Sequence, residues 1–198
     1  MEGGDGAGKD THVERLKELL KGREAVFTRE PGGTSLGAAL RQMLLHNSHG
    51  TIALPAELLL FLADRAQHVE EVIKPSLAAG KVVVSNRSWI SYLAYQIYGR
   101  EMFDWKDFIE EGVHKIYADV PPDLAVILDI SPEVGRARQK AMGKIPDTME
   151  SMIDAAHNRI RAAYVEIAKK LPTAVVIDAG RPVEQVWEDI RTAVLKVL

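Results

Sequence analysis

Gly3-Gly4-Asp5-Gly6-Ala7-Gly8-Lys9-Asp10-Thr11 decides how the rest of this 198-residue chain is read. Residues 3–9 fit G-x-x-x-x-G-K. In that loop, glycines let successive amide N–H groups converge on phosphate oxygens, and the lysine adds a movable positive charge. From Thr11 onward, Val13, Leu16, Leu19 and Leu20 recur at helical spacing. The loop therefore feeds a helix N-terminus, whose partial positive charge favours a bound phosphate. Gly3, Gly4, Asp5, Gly6, Ala7, Gly8, Lys9, Asp10 and Thr11 are the candidate nucleotide-binding residues. The residue after the lysine, Ser or Thr in the common form of the motif, is Asp10 here, with Thr11 one place further.

A buried apolar strand normally precedes such a loop, yet only Met1 and Glu2 stand before Gly3. Either the start lies upstream, or the sheet lacks most of one central strand. The second case leaves ladder donors and acceptors on both neighbours, at a cost in stability or with compensating packing. Further along, short apolar runs alternate with helical patterns, the signature of a parallel sheet covered by helices. The strands are expected at 25–27, 81–85, 124–128 and 174–177, and their lack of polar alternation means burial on both faces. Helices are expected at 36–45, 57–79, 91–98, 105–117, 132–141, 148–170 and 182–197. The fold class is thus α/β, a P-loop parallel sheet with helices on both faces and its first strand largely absent. Residues 1–198 read as one domain with a short lid at about 140–150, where Met142-Gly143-Lys144-Ile145-Pro146-Asp147 breaks the helical pattern. That segment reads equally as a plain helix connection.

Composition narrows the function. Lys plus Arg number 25 against 28 acids, a net charge of −3, so nothing marks a nucleic-acid-binding surface and the arginines must act locally. Cysteine is absent, which excludes disulfides and thiolate metal sites and fits a reducing cytoplasm. No apolar run approaches the ~20 residues of a membrane span. The six histidines show no ligand spacing. Ligands of open α/β sheets gather at the carboxyl ends of strands, and each end here carries an arginine or an acid: Arg29, Arg87, Asp129, Asp178.

Several segments then point further: residues 2–9, Thr28-Arg29-Glu30-Pro31-Gly32-Gly33-Thr34, Leu40-Arg41, the run from Leu59 through Ala63-Asp64-Arg65-Ala66-Gln67-His68-Val69, and Asn86-Arg87 followed by Leu93-Ala94-Tyr95-Gln96. In order and spacing the chain resembles the thymidylate kinase family over nearly its whole length, and Lys9-Asp10-Thr11 matches the G-K-x-T form of nucleoside monophosphate kinases. The resemblance implies transfer of the ATP γ-phosphoryl group to dTMP, giving dTDP for dTTP synthesis, by a cytoplasmic homodimer using ATP and magnesium. The apolar helix after Leu58 and the segment around Trp89 are its candidate interface, or are interior.

It also implies roles. Lys9 and the loop amides hold the ATP phosphates, while Arg41 and Arg87 hold the acceptor phosphate, which the planar arginine fork suits, and Arg29 is a further substrate-binding candidate. Asp5 sits beside the acceptor 3′-hydroxyl and the metal. Phe61 stacks on thymine, Arg65 donates to a thymine carbonyl, and Tyr95 crowds the 2′ position. Tyr92, with Gln67 and Leu93, lies near the base and sugar, and Arg138 lies against the adenine, opposite residues 178–182. Taken alone, Phe61 and Tyr95 read as core, Arg41 and Arg65 as solvated helix charges, and Arg138 as a partner of Glu133 or Asp129.

Three departures from the family pattern stand out. Asn86 replaces the aspartate of Asp-Arg; Asp10 puts a negative charge beside the β-phosphate. No arginine follows Asp5, where Gly6 stands, and none occupies the lid, where Lys144 is the best substitute and Lys140 the second. The catalytic candidates are therefore Lys9, Asp5, Arg87 and Lys144. Two alternatives to a dTMP kinase remain: a nucleotide-binding relative without transfer, and a kinase for another monophosphate.

Overall fold

The computed structural model describes residues 1–46, 50–143 and 145–198; Asn47, Ser48, His49 and Lys144 lie outside the described residues. Among the described residues, five parallel strands form a three-stranded and a two-stranded piece of sheet. β1 (Glu2–Gly3) pairs with β4 (Ala125–Asp129), which pairs with β5 (Ala174–Asp178), and β2 (Ala25–Arg29) pairs with β3 (Val82–Asn86). The two pieces are joined through Met1, whose N donates to Ser85 O at 2.9 Å and whose O accepts from Arg87 N at 2.9 Å. The order is β2–β3–β1–β4–β5, and β1 has only two residues, as expected for the first strand. Met1 thus meets Ser85 O and Arg87 N beside β3, while Glu2 and Gly3 pair with Ile127 and Leu128 of β4. Strand order departs in both directions from β1, so the loop after it sits at the crossing point where such sheets bind ligands.

Burial on both faces holds for β4: Ala125 and Ile127 enter one apolar cluster, Val126 and Leu128 the other. Each such side chain contributes roughly 1.5–3 kcal/mol. It fails at the edge strand β5, where Ile177 is buried but Val176, on the opposite face, is 46% exposed. β2 and β3 are half-buried. The larger cluster gathers Leu44, Leu58, Ile90, Ile97, Ile109 and Ile160; the smaller gathers Leu16, Ile130, Val186 and Ile190.

Helix α1 (Lys9–Leu19) follows the glycine loop, and α2 (Ser35–His46) follows β2. The helix expected at 57–79 is instead α3 (Leu54–His68), a π-helical turn (Val69–Ile73) and α4 (Lys74–Ala78). Pro75 lacks the N–H that would continue the ladder, which accounts for the break. A second wide turn, Leu93–Gly99, continues α5 (Trp89–Tyr92), closed by Arg100 N donating to Tyr95 O five residues back. Then come α6 (Lys106–Tyr117), α7 (Pro132–Ala141), α8 (Asp154–Lys170) and α9 (Val183–Leu195).

Helix α8 begins at Asp154, not at 148. Asp147 accepts from the amides of Met149 and Glu150 while its own N donates to Glu150 Oε2, a reciprocal cap that closes one turn. Thr148 N and Oγ1 both donate to Leu45 O, tethering that turn to the end of α2 instead of to a continuing helix. Among the described residues no helix is long and apolar enough to cross a membrane.

Candidate active site

The glycine loop wraps its own lysine. Lys9 Nζ donates to Gly3 O at 3.0 Å and Gly4 O at 2.7 Å, holding the ammonium beneath the loop amides. Burial, with Arg87 as the next cause, pulls Lys9 down to about 7. Phosphate oxygens would raise it again, so nucleotide binding takes up a proton. Below pH 7 the ammonium is already charged and affinity is full; above it, ADP affinity should fall by up to ~10-fold per pH unit. A fluorescent-ADP titration from pH 7 to 9 checks this, and Lys9→Met should bind weakly without the slope. A flat wild-type profile would refute it.

Gly6 stands at φ 76°, and a Cβ built there would lie 2.2 Å from Gly135 O, a backbone atom of α7. Reciprocally, a Cβ on Gly135 would lie 2.3 Å from Asp5 O. Helix α7 thus presses its backbone onto the loop where a residue-6 side chain would leave, which gives a physical reason for the missing arginine. Gly6→Arg should disrupt the loop instead of restoring a catalytic charge. Gly135→Ala should cost about 2–4 kcal/mol by thermal melting and weaken ATP binding; an unchanged melting temperature would contradict this contact.

Arg87 is the hub. It follows β3 at φ 72°, a region that residues with a Cβ occupy at a cost of about 1–3 kcal/mol. Its Nη1 donates to Gly3 O (3.2 Å), Ser91 Oγ (3.1 Å) and Tyr164 OH (3.0 Å); its Nη2 donates to Asp5 Oδ1 (2.5 Å) and Tyr95 OH (3.2 Å). Tyr95 OH donates in turn to Asp5 Oδ2 at 2.6 Å. Burial works against the Asp5 charge, but Arg87, Lys9 and the Tyr95 bond hold its carboxyl below the usual range. Behind this lies buried Glu2, which accepts from the hydroxyls of Ser88 and Ser91.

A second buried cation stands on α3. Arg65 is 2% exposed; Nη1 donates to Phe61 O (2.8 Å), Nη2 to Ser88 O (3.2 Å), and Nε lies 3.2 Å from Glu30 Oε2. Its guanidinium sits 4.6 Å over the Tyr92 ring. Glu30 Oε1 also accepts from His68 Nδ1 (2.8 Å) and Tyr117 OH (2.6 Å). Arg41 donates to Pro31 O at 3.0 Å, and burial together with the charge of Arg29 lowers its pKa. Cations held against mutual repulsion in a cavity wall suit an anion.

A cavity of about 800 Å³ runs between these groups. Asp5 through Thr11 line it, as do Arg29, Arg41, Phe61, Arg65, Arg87, Tyr92, Tyr95 and Arg138. Gly3 and Gly4 are not part of its lining: Gly3 ends β1, and Gly4 lines a separate small pocket with Asp129 and Tyr164. Lys144 lies outside the described residues. Asp129, a proposed partner of Arg138, instead binds Arg161 through two bonds at 2.7 and 2.8 Å. Gln67 turns away to donate to Glu71, Leu93 is core, and the Tyr92 hydroxyl is spent on Leu58 O. Arg181, from the expected 178–182 segment, also lines the wall, whereas sequence reasoning missed Ser91 and Gln96 there. Gln96 directly follows Tyr95, but only the wide turn brings both inward.

A glycine loop at the crossing of a parallel sheet, with a partly buried arginine at the neighbouring strand end and a cavity of about 800 Å³ between them, is the arrangement of a P-loop nucleoside monophosphate kinase. The family model for thymidylate kinase matches residues 1–190. Relatives named thymidylate kinase include one from Bifidobacterium longum (strain NCC 2705), 43% identical over 97% of this chain and 94% of its own length. Another, from Leifsonia xyli subsp. xyli (strain CTCB07), is 41% identical over 96% of this chain and 90% of its own. The crystal structure of thymidylate kinase from Ehrlichia chaffeensis is similar at TM-score 0.75 and 31% identity, covering 98% of this chain and 95% of that one. The chain belongs to the thymidylate kinase family.

Proposed function

We propose that the protein transfers the γ-phosphoryl group of ATP to the 5′-phosphate of dTMP, as a cytoplasmic homodimer that uses magnesium. The observation that carries this is the Asp5–Arg87–Tyr95 cluster set against the phosphate loop. Phosphoryl transfer needs positioning and charge neutralisation, and that cluster offers both. Arg87, Arg41 and Arg29 hold the acceptor phosphate; Lys9 and the loop amides hold the donor. Phe61 and Arg65 give the base a ring face and a fixed donor, and Tyr95, anchored to Asp5, closes the space beside the sugar. Arg138 and residues 178–182 flank the adenine, and Lys144 is the proposed lid cation.

Magnesium, when bound, neutralises charge on the donor phosphates. Hard oxygen donors suit it, and Asp5 and Thr11 flank the loop lysine with such oxygens; each Asp5 oxygen keeps a lone pair beyond its hydrogen bond. The dimer reading is supported by exposed Leu54 and Leu59 on α3 and Phe108 on α6, which packs beside it. A monomer mass by light scattering at micromolar concentration would exclude it. Binding without transfer finds no support in the geometry, since Lys9, Asp5 and Arg87 are assembled.

A coupled assay with ATP, magnesium and dTMP tests the activity, with dUMP, dGMP and AMP as controls. Turnover confined to dTMP, or weakly shared with dUMP, is the expected result. Turnover confined to another monophosphate, or binding without product, would overturn the proposal.

A further inference from the structure

Two of the chain's departures from the common motif meet in space. Asp10 stands where the loop motif places a hydroxyl against the metal. Asn86, at the end of β3 and 76 residues away, donates its amide Nδ2 to Asp10 Oδ1 at 2.6 Å. Both line the central cavity beside Lys9. Asp10 has a neutral amide as its hydrogen-bond partner, while the neighbouring Lys9 ammonium is turned to the carbonyls of Gly3 and Gly4. Lys9 and Arg41 feel the Asp10 charge, but among the described residues neither pairs with it directly; the carboxylate therefore faces a polyphosphate, and two anions in one cavity repel.

We infer that Asp10 and Asn86 form one metal-holding unit: Asp10 supplies a carboxylate oxygen to the magnesium ion that accompanies the donor phosphates, and Asn86 fixes that carboxylate. The inference rests on the kinase reading above. A hard divalent cation between carboxylate and phosphates turns the repulsion into attraction, and magnesium is commonly held by one or two carboxylates plus substrate phosphates. Asn86 occupies Oδ1 and leaves Oδ2 for the ion; ligand carboxylates are commonly oriented by such a neighbour. Asn86 is thus a positioning residue. An acid in the first turn of α1 also steadies the helix dipole, but that needs no partner on β3 and predicts a change in melting temperature alone.

The test is calorimetric titration of β,γ-imido-ATP into the protein with and without magnesium, together with Mn2+ spin resonance of the complex. Asp10→Asn keeps the side chain's size and removes its charge. It should cut the metal-linked gain in nucleotide affinity at least ~10-fold and weaken Mn2+ binding, while metal-free affinity holds or rises. Asn86→Ala should lose part of the same gain. An unchanged gain in Asp10→Asn, or a loss fully accounted for by weaker metal-free binding, overturns the inference; an unchanged gain in Asn86→Ala removes Asn86 from the unit. Failure of the kinase reading would show separately, as wild-type protein forming no ADP in response to dTMP.

Discussion

Arg87→Ala should lower dTMP-dependent turnover roughly 10²–10³-fold and destabilise the fold by about 3–5 kcal/mol. The two losses have one origin. Five hydrogen bonds converge on this guanidinium, tying β1, α5, the wide turn after it and α8 to the phosphate loop. Removing it leaves Asp5, 13% exposed, without its ion partner, and breaking a buried pair from one side strands a charge. It also removes the fork proposed to grip the acceptor phosphate. Arg87→Lys retains a charge without the fork and should fall between. The double variant Asp5→Asn/Arg87→Ala separates the losses: stability should partly recover, because no charge is stranded, and turnover should not. Melting curves and steady-state assays on the four proteins decide it. Turnover within a few-fold of wild type in Arg87→Ala would remove the arginine from the mechanism.

Glu30→Ala should be the most destabilising change away from the loop, at about 3–5 kcal/mol, or roughly 6–20 °C of melting temperature for a chain of this size. Glu30 is 1% exposed and is shared by Arg65, His68 and Tyr117. Alanine would strand the Arg65 cation and leave the Tyr117 hydroxyl and His68 Nδ1 without their acceptor. Because Arg65 would lose its Nε anchor, KM for dTMP should rise more than kcat falls. Glu30→Gln retains an acceptor oxygen without the charge and should cost less. A melting temperature within ~2 °C of wild type in Glu30→Ala would show that the network contributes little.

What the sequence revealed was local. The loop, its helix and the strand-end arginines follow from spacing over a few residues, and they land on one cavity wall. Long-range partners were hidden. Nothing near Glu30 in sequence tells that Tyr117 will meet it 87 residues later, and Arg65 on a helix looks like a solvated charge until the fold encloses it. Asp10 and Asn86 read as two separate departures because their bond depends on how β3 lies beside α1. The late start of α8 shows a different limit: the cap at Asp147 and Glu150 does start a turn, but Leu45, on another helix, takes its next bonds. Gly6 alone gave no sign of Gly135 above it.

The wide turn at Leu93–Gly99 has an evolutionary consequence. A π-helical turn amounts to an α-helix carrying one surplus residue, and such turns gather at functional sites. Here Ser91, Tyr95 and Gln96 all line one cavity while Ile90 and Ile97 stay in the core. Deleting a single residue from that turn would restore a regular helix and swing everything on one side of it by ~100°. An alignment gap there would therefore carry more functional meaning than any substitution within the segment.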